Sequence, residues 1–162
     1  MSPSQATVNA RPNEAGDFCI TFEIQSRMDQ IRLIRAALGG VLNHLDVSEA
    51  DIHSLSLAVT EIINNSMEHG YQGAEDQQVQ VRLHVRESAV ELNILDNAPP
   101  FPEEERYRLT DELNLLEDPS EEWTMRGHGL QIVRKIVDSI SLVAQNGRNC
   151  MTLRKTVAIE RN

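Results

Sequence analysis

Glu61, Asn65 and His69 recur every four residues in LAVTEIINNSMEHGYQG, a stretch otherwise rich in apolar residues. Residues four apart stack on one face of an α-helix, so an acid, an amide and an imidazole form one column that ends at Gly70. An amide oxygen is a hard ligand suited to magnesium, and a carboxylate beside it can take a proton from an attacking water or hydroxyl. A solvated helix face, with a histidine near the C-terminus where the dipole favours its charge, accounts for the same column. Asp96 closes an apolar run in LDNAPPF. A strand-end carboxylate there accepts a hydrogen bond from a ligand amino group such as that of adenine, or caps the strand exit as an Asx turn. In MRGHGLQIV, Gly127 and Gly129 flank His128 at a helix start, where free N–H groups and the dipole favour a phosphate. A flexible helix-entry turn has the same appearance. The run is neither a strand–GxGxxG–helix fingerprint nor a Walker loop, because the Lys-Ser/Thr pair is missing.

The elements that must carry these residues follow from periodicity. DFCITFEI (17–24) alternates as a strand. From Met28 to His44 apolar residues recur at helical spacing, interrupted by Gly39-Gly40, a weak point or a place of close packing. Ser48 with Asp51 three residues on predicts a capped start for the next helix, which runs to about Glu68 and stops before Gly70, a candidate left-handed C-cap. QVQVRLHVR (78–86) and AVELNIL (89–95) predict a tight hairpin, and a second hairpin turns at Asn146-Gly147. Between them lie the proline-rich DNAPPFPEEE, an acidic and patchily apolar stretch over 103–124, and an amphipathic helix after Gly129. The first sixteen residues, with two prolines and no periodicity, are expected to be a loose tail. Strands and helices do not alternate as in a doubly wound fold. The order predicts an α+β sandwich, a mostly antiparallel sheet with helices on one face.

Taken in order, E-x-x-x-N on a helix, D-x-x-x-P after a strand and R-G-x-G-L opening a helix resemble the N, G1 and G2 boxes of the GHKL ATPase superfamily, with its Bergerat fold. The H-G-Y ending of the first box and the short chain resemble, within it, the anti-sigma factor serine/threonine kinases of bacterial stress and sporulation switches. The resemblance spans roughly residues 18–156 and implies one ATP-binding domain over 17–160, with 103–126 as the ATP lid. It implies Glu61 as general base and Asn65 as magnesium ligand. It implies Asp96 as the adenine contact and Gly127, His128, Gly129 and Leu130 as the phosphate-facing edge. Thr152 matches the late-strand threonine that helps hold adenine, and Arg126 is placed to reach a terminal phosphate. His69, Gly70 and Ala98 complete the expected nucleotide contacts. Ala98 departs from the usual D-x-G glycine, which raises the question of whether its turn needs φ > 0.

The implied activity is transfer of the γ-phosphoryl of ATP, with Mg2+, to a Ser or Thr of a STAS-type anti-anti-sigma protein, coupled to capture of a sigma factor and commonly to a homodimer built on the N-terminal strand and first helix. An ATP-binding module that only sequesters a partner, or a detached histidine-kinase-like catalytic domain, is the alternative. The net charge of −10 opposes direct nucleic-acid binding, since no Lys/Arg cluster offsets it. No signal peptide or membrane-length apolar run is visible, which predicts no membrane contact and a cytoplasmic location. Cys19 and Cys150 lie in alternating segments and are expected as buried, reduced thiols.

Overall fold

In the computed structural model, which describes residues 7–12, 17–101, 103 and 129–160, six strands form one sheet: β1 (Thr7–Pro12), β2 (Phe18–Gln25), β3 (Gln78–Arg86), β4 (Ala89–Asp96), β5 (Ser139–Gln145) and β6 (Arg148–Thr156). Their spatial order is β1-β2-β3-β4-β6-β5 and every neighbouring pair is antiparallel. Helices α1 (Met28–His44), α2 (Glu49–Asn65) and α3 (Gly129–Ile136) accompany it, with a π-helical turn over Ser66–Gly70 continuing α2. The α+β sandwich is therefore as expected. The expected lid over 103–126, with Arg126, and the expected phosphate contacts Gly127 and His128 lie outside the described residues, apart from Glu103.

Period-two alternation explains the sheet. Ile20, Phe22 and Ile24 of β2 face the same side as Val79, Val81 and Leu83 of β3, Leu92 and Ile94 of β4, and Met151 and Leu153 of β6. All of these are buried. The helices cover this face with Ile34, Leu38 and Leu42 of α1, Leu55, Val59 and Ile63 of α2, and Leu130 and Val133 of α3. Helix α2 packs between α1 and α3, so it is the element around which the site is built.

The helix starts and turns follow local chemistry. Ser48 caps α2: its hydroxyl accepts from the Asp51 N–H at 3.2 Å and donates to the Asp51 carboxylate at 2.8 Å. Asn146 and Gly147 both take φ > 0, 53° and 72°, as a two-residue type I′ hairpin turn needs.

Four expectations require correction. Residues 7–12, expected within a loose tail, form β1 and cover the edge of β2, with Val8 opposite Phe22 and Ala10 opposite Ile20. Strand β2 thus has neighbours on both sides. Gly70 is not a left-handed cap; the helix widens into its π turn, and the left-handed glycine is Gly73, φ 80°. Gly39 and Gly40 stay helical without close packing, the nearest neighbour of a Cβ on Gly39 being Ile52 at 3.8 Å and none lying within 4 Å of one on Gly40. Cys19 and Cys150 are free but only half-buried, because they occupy the face of the sheet that the helices leave open.

Candidate functional site

Helix α2 carries the first wall. Glu61 is half-buried, and its carboxylate lies against the Cα of Gly129, so closely that a Cβ built on Gly129 would fall on Glu61 Oε2. The first described residue of α3 therefore sits directly beside the acid. One turn on, Asn65 is 8% exposed, and its Nδ2 is buried without a hydrogen-bond partner among the described residues. A buried amide donor left unpaired costs free energy that a ligand group would recover.

The second wall is Asp96, 4% exposed at the end of β4. Three donors converge on it. Ser66 Oγ donates to Oδ2 at 2.6 Å, while Asn149 Nδ2 and the Ala98 N–H donate to Oδ1 at 2.8 and 3.0 Å. Asn149 also donates to the carbonyl oxygens of Ala98 at 3.0 Å and Pro99 at 3.4 Å. Three acceptors around one nitrogen fix which end of that amide is which. The Tyr71 phenol clamps the same loop, donating to the Gln78 carbonyl at 2.8 Å and accepting from the Asn97 N–H at 2.7 Å. Burial pushes the Tyr71 phenol above its ordinary value, and the neighbouring Asp96 charge adds to this.

The two walls meet through the π turn. It is closed by the Tyr71 N–H donating to the Ser66 carbonyl at 2.8 Å, an i→i+5 bond that seats both Ser66 and Tyr71 on the Asp96 loop. Gly70 lies against Ala98: a Cβ on Gly70 would stand 2.6 Å from the Ala98 Cβ. Ala98 is not among the residues with φ > 0, so this turn does not need the glycine that the usual motif carries.

The expected site residues thus divide. Glu61 meets Gly129, Gly70 meets Ala98, and Asp96 is bonded by Ala98 and by Ser66, the residue next to Asn65. Leu130 follows Gly129 but buries its side chain in the core, 3% exposed. His69 is exposed on the π turn, and among the described residues no side-chain hydrogen bond ties it to either wall. Thr152 is not brought to the site. It lies on the open face of the sheet and donates to Asn93 Oδ1 at 2.9 Å, because Met151 and Leu153 take the inward positions of β6. The β6 residue opposite Asp96 is Asn149. Sequence reasoning missed Asn149, Ser66 and Tyr71. The alternation C-M-T-L already points Asn149 inward, and Ser66 falls on the buried stripe of Val59, Ile62 and Ile63, where a hydroxyl needs a partner.

The sheet with helices on one face, and a helix-borne Glu/Asn pair linked through Ser66 to a buried strand-end Asp, fit an ATPase-type nucleotide domain. The chain belongs to the histidine kinase-like ATPase domain family, whose model matches residues 24–155. Among curated proteins it is 29% identical over 128 residues to the serine-protein kinase RsbW of Listeria innocua, covering 79% of this chain and 81% of that one. It is 26% identical to the protein of the same name from Oceanobacillus iheyensis, covering 79% and 80%. Among solved structures, the RsbU and RsbW domains of Rv1364c from Mycobacterium tuberculosis superpose with a TM-score of 0.60 at 17% identity, covering 86% of this chain and 32% of that one. The SiaB–SiaC complex from Pseudomonas aeruginosa gives 0.53 at 18%, covering 85% and 89%. These structures share the fold.

Proposed function

We propose that this chain is an ATP-dependent protein serine/threonine kinase of the anti-sigma type, which phosphorylates a STAS-type anti-anti-sigma protein and captures a sigma factor when that antagonist is phosphorylated. The observation that carries this reading is the helix-borne Glu61 and Asn65 linked through Ser66 to Asp96, in a chain whose curated relatives are named serine-protein kinases.

The residues fit the nucleotide and metal. Asp96 offers a buried acceptor to the amino group of adenine. The Asn65 carboxamide offers a donor for a phosphate oxygen at one end and a hard oxygen for magnesium at the other. Magnesium, when bound, neutralises phosphate charge. Glu61 stands where a carboxylate can accept the proton of an attacking hydroxyl, and Gly129 lies against it. Phosphoryl transfer asks mainly for positioning and charge stabilisation of this kind.

Arg126, Gly127, His128 and a lid over 103–126 complete the reading as expectations, as do a cytoplasmic location and a homodimer. Among the described residues no helix is long and apolar enough to cross a membrane. The net charge of −10 suits recognition of a basic or mixed protein face. That Ala98 is not among the residues with φ > 0 supports this reading over an ATP-binding module that only sequesters a partner.

The test is transfer of label from γ-labelled ATP, with magnesium, to a candidate antagonist. Glu61→Ala is expected to slow transfer by about 10²–10⁴-fold while nucleotide binding persists. Transfer unaffected by that change, or none from the unaltered chain to any STAS-domain protein of its own cell, sinks the kinase reading.

A further inference from the structure

Hydroxyl side chains on α2 mostly satisfy themselves locally. Ser54 Oγ donates to the Ala50 carbonyl at 3.0 Å and Thr60 Oγ1 to the Ser56 carbonyl at 2.8 Å, the back-bonding usual for Ser and Thr within helices. Ser66 departs from this habit. Its hydroxyl leaves the helix and donates to Asp96 Oδ2 at 2.6 Å, the short distance of a hydrogen bond to a charged acceptor. Both partners are nearly sealed, Ser66 at 5% and Asp96 at 4% exposure.

The bonds to Asp96 are unevenly shared. Among the described residues, Oδ1 receives two donors, Asn149 Nδ2 and the Ala98 N–H, and Oδ2 receives Ser66 alone. A carboxylate oxygen accepts about two hydrogen bonds, so the remaining acceptor capacity lies on Oδ2. The loop itself is held by other contacts, Tyr71 on Asn97 and Asn149 on the Ala98 and Pro99 carbonyls. What Ser66 alone adds is the direction of Oδ2.

We propose that Ser66 is a positioning residue for purine recognition: by occupying one side of Asp96 Oδ2 it aims the other toward the exocyclic amino group of the base, and so sets the preference for a 6-aminopurine. This rests on the ATP reading given above. Because Ser66 directly follows Asn65, one short stretch of chain also fixes the base contact relative to the phosphate end.

The experiment compares magnesium-dependent binding of ATP and of purine riboside triphosphate, which lacks the 6-amino group, to the full chain. The unaltered protein prefers ATP. Ser66→Ala is expected to reduce that preference about tenfold by weakening ATP binding alone, and Ser66→Thr, which keeps the hydroxyl, to retain it. Ser66→Cys, nearly isosteric and a poor donor, repeats the test where alanine leaves the fold impaired. Equal weakening of both nucleotides by Ser66→Ala and Ser66→Cys overturns the proposal, because a purely structural role would do that. An unaltered protein that binds both nucleotides equally well also overturns it and leaves the kinase reading standing; one that binds neither overturns both.

Discussion

At Gly129 the absence of a Cβ is a requirement of the neighbouring side chain. The Glu61 carboxylate occupies the volume that any larger residue would take. Gly129→Ala must therefore move either the acid or the start of α3. A displacement of about 1 Å at a reacting group can cost on the order of 10²-fold in rate. The expected outcome is a chain with an unchanged thermal midpoint whose phosphoryl transfer falls about as steeply as in Glu61→Ala. Transfer at the original rate would show that Glu61 has room to spare. Residue identities were also where sequence reading was strongest and weakest together. Glu61, Asn65, Asp96 and Gly129 were legible from spacing within motifs. Asn149 and Ser66 were not, because their importance comes from a partner 53 or 30 positions away, which no local pattern displays.

Among the elements, α2 depends most visibly on its first turn. Asp51 bonds the Ser48 hydroxyl, accepts from the Ala158 N–H at 2.8 Å and pairs with Lys155 at 3.5 Å. It thereby ties the helix start to the chain's last described segment, where Val47 bridges Ile159. Burial opposes its charge, but these bonds outweigh burial and hold the Asp51 carboxyl below its ordinary value. A depressed carboxyl binds fewer protons folded than unfolded, so its contribution is complete above about pH 5 and is lost as pH falls through the folded value. Asp51→Asn is expected to cost about 1.5–3 kcal/mol at pH 7, the range for hydrogen bonds to a charged group, and to shrink the gap to the unaltered chain in acid. Urea unfolding at pH 7 and below pH 4 checks this; a gap of constant size would contradict it. The extents of α1, β3 and the Asn146-Gly147 hairpin were legible because periodicity and turn chemistry are local. The π turn was not, since its extra residue is stabilised by contacts with the Asp96 loop.

For the molecule as a whole, the described helices lie on one side of the sheet, which has two edges. One of them is β1, read in sequence as part of a tail because six residues with a terminal proline give too short an alternation to recognise; proline is tolerated there because an edge strand can spare a donor. Strand β1 also covers β2, whose alternating apolar residues would make an adhesive edge if left bare. A chain shortened to begin at Asp17 is expected to form larger species than the full chain at equal concentration, as read by light scattering. Identical size distributions would mean that β2 needs no cover. The contact of Gly70 with Ala98 has a consequence of another kind. The two positions, one ending the helix wall and one in the Asp96 loop, share space for a single methyl group. Substitution at either is therefore conditional on the other: with a side chain at position 98, position 70 has no room for a second one.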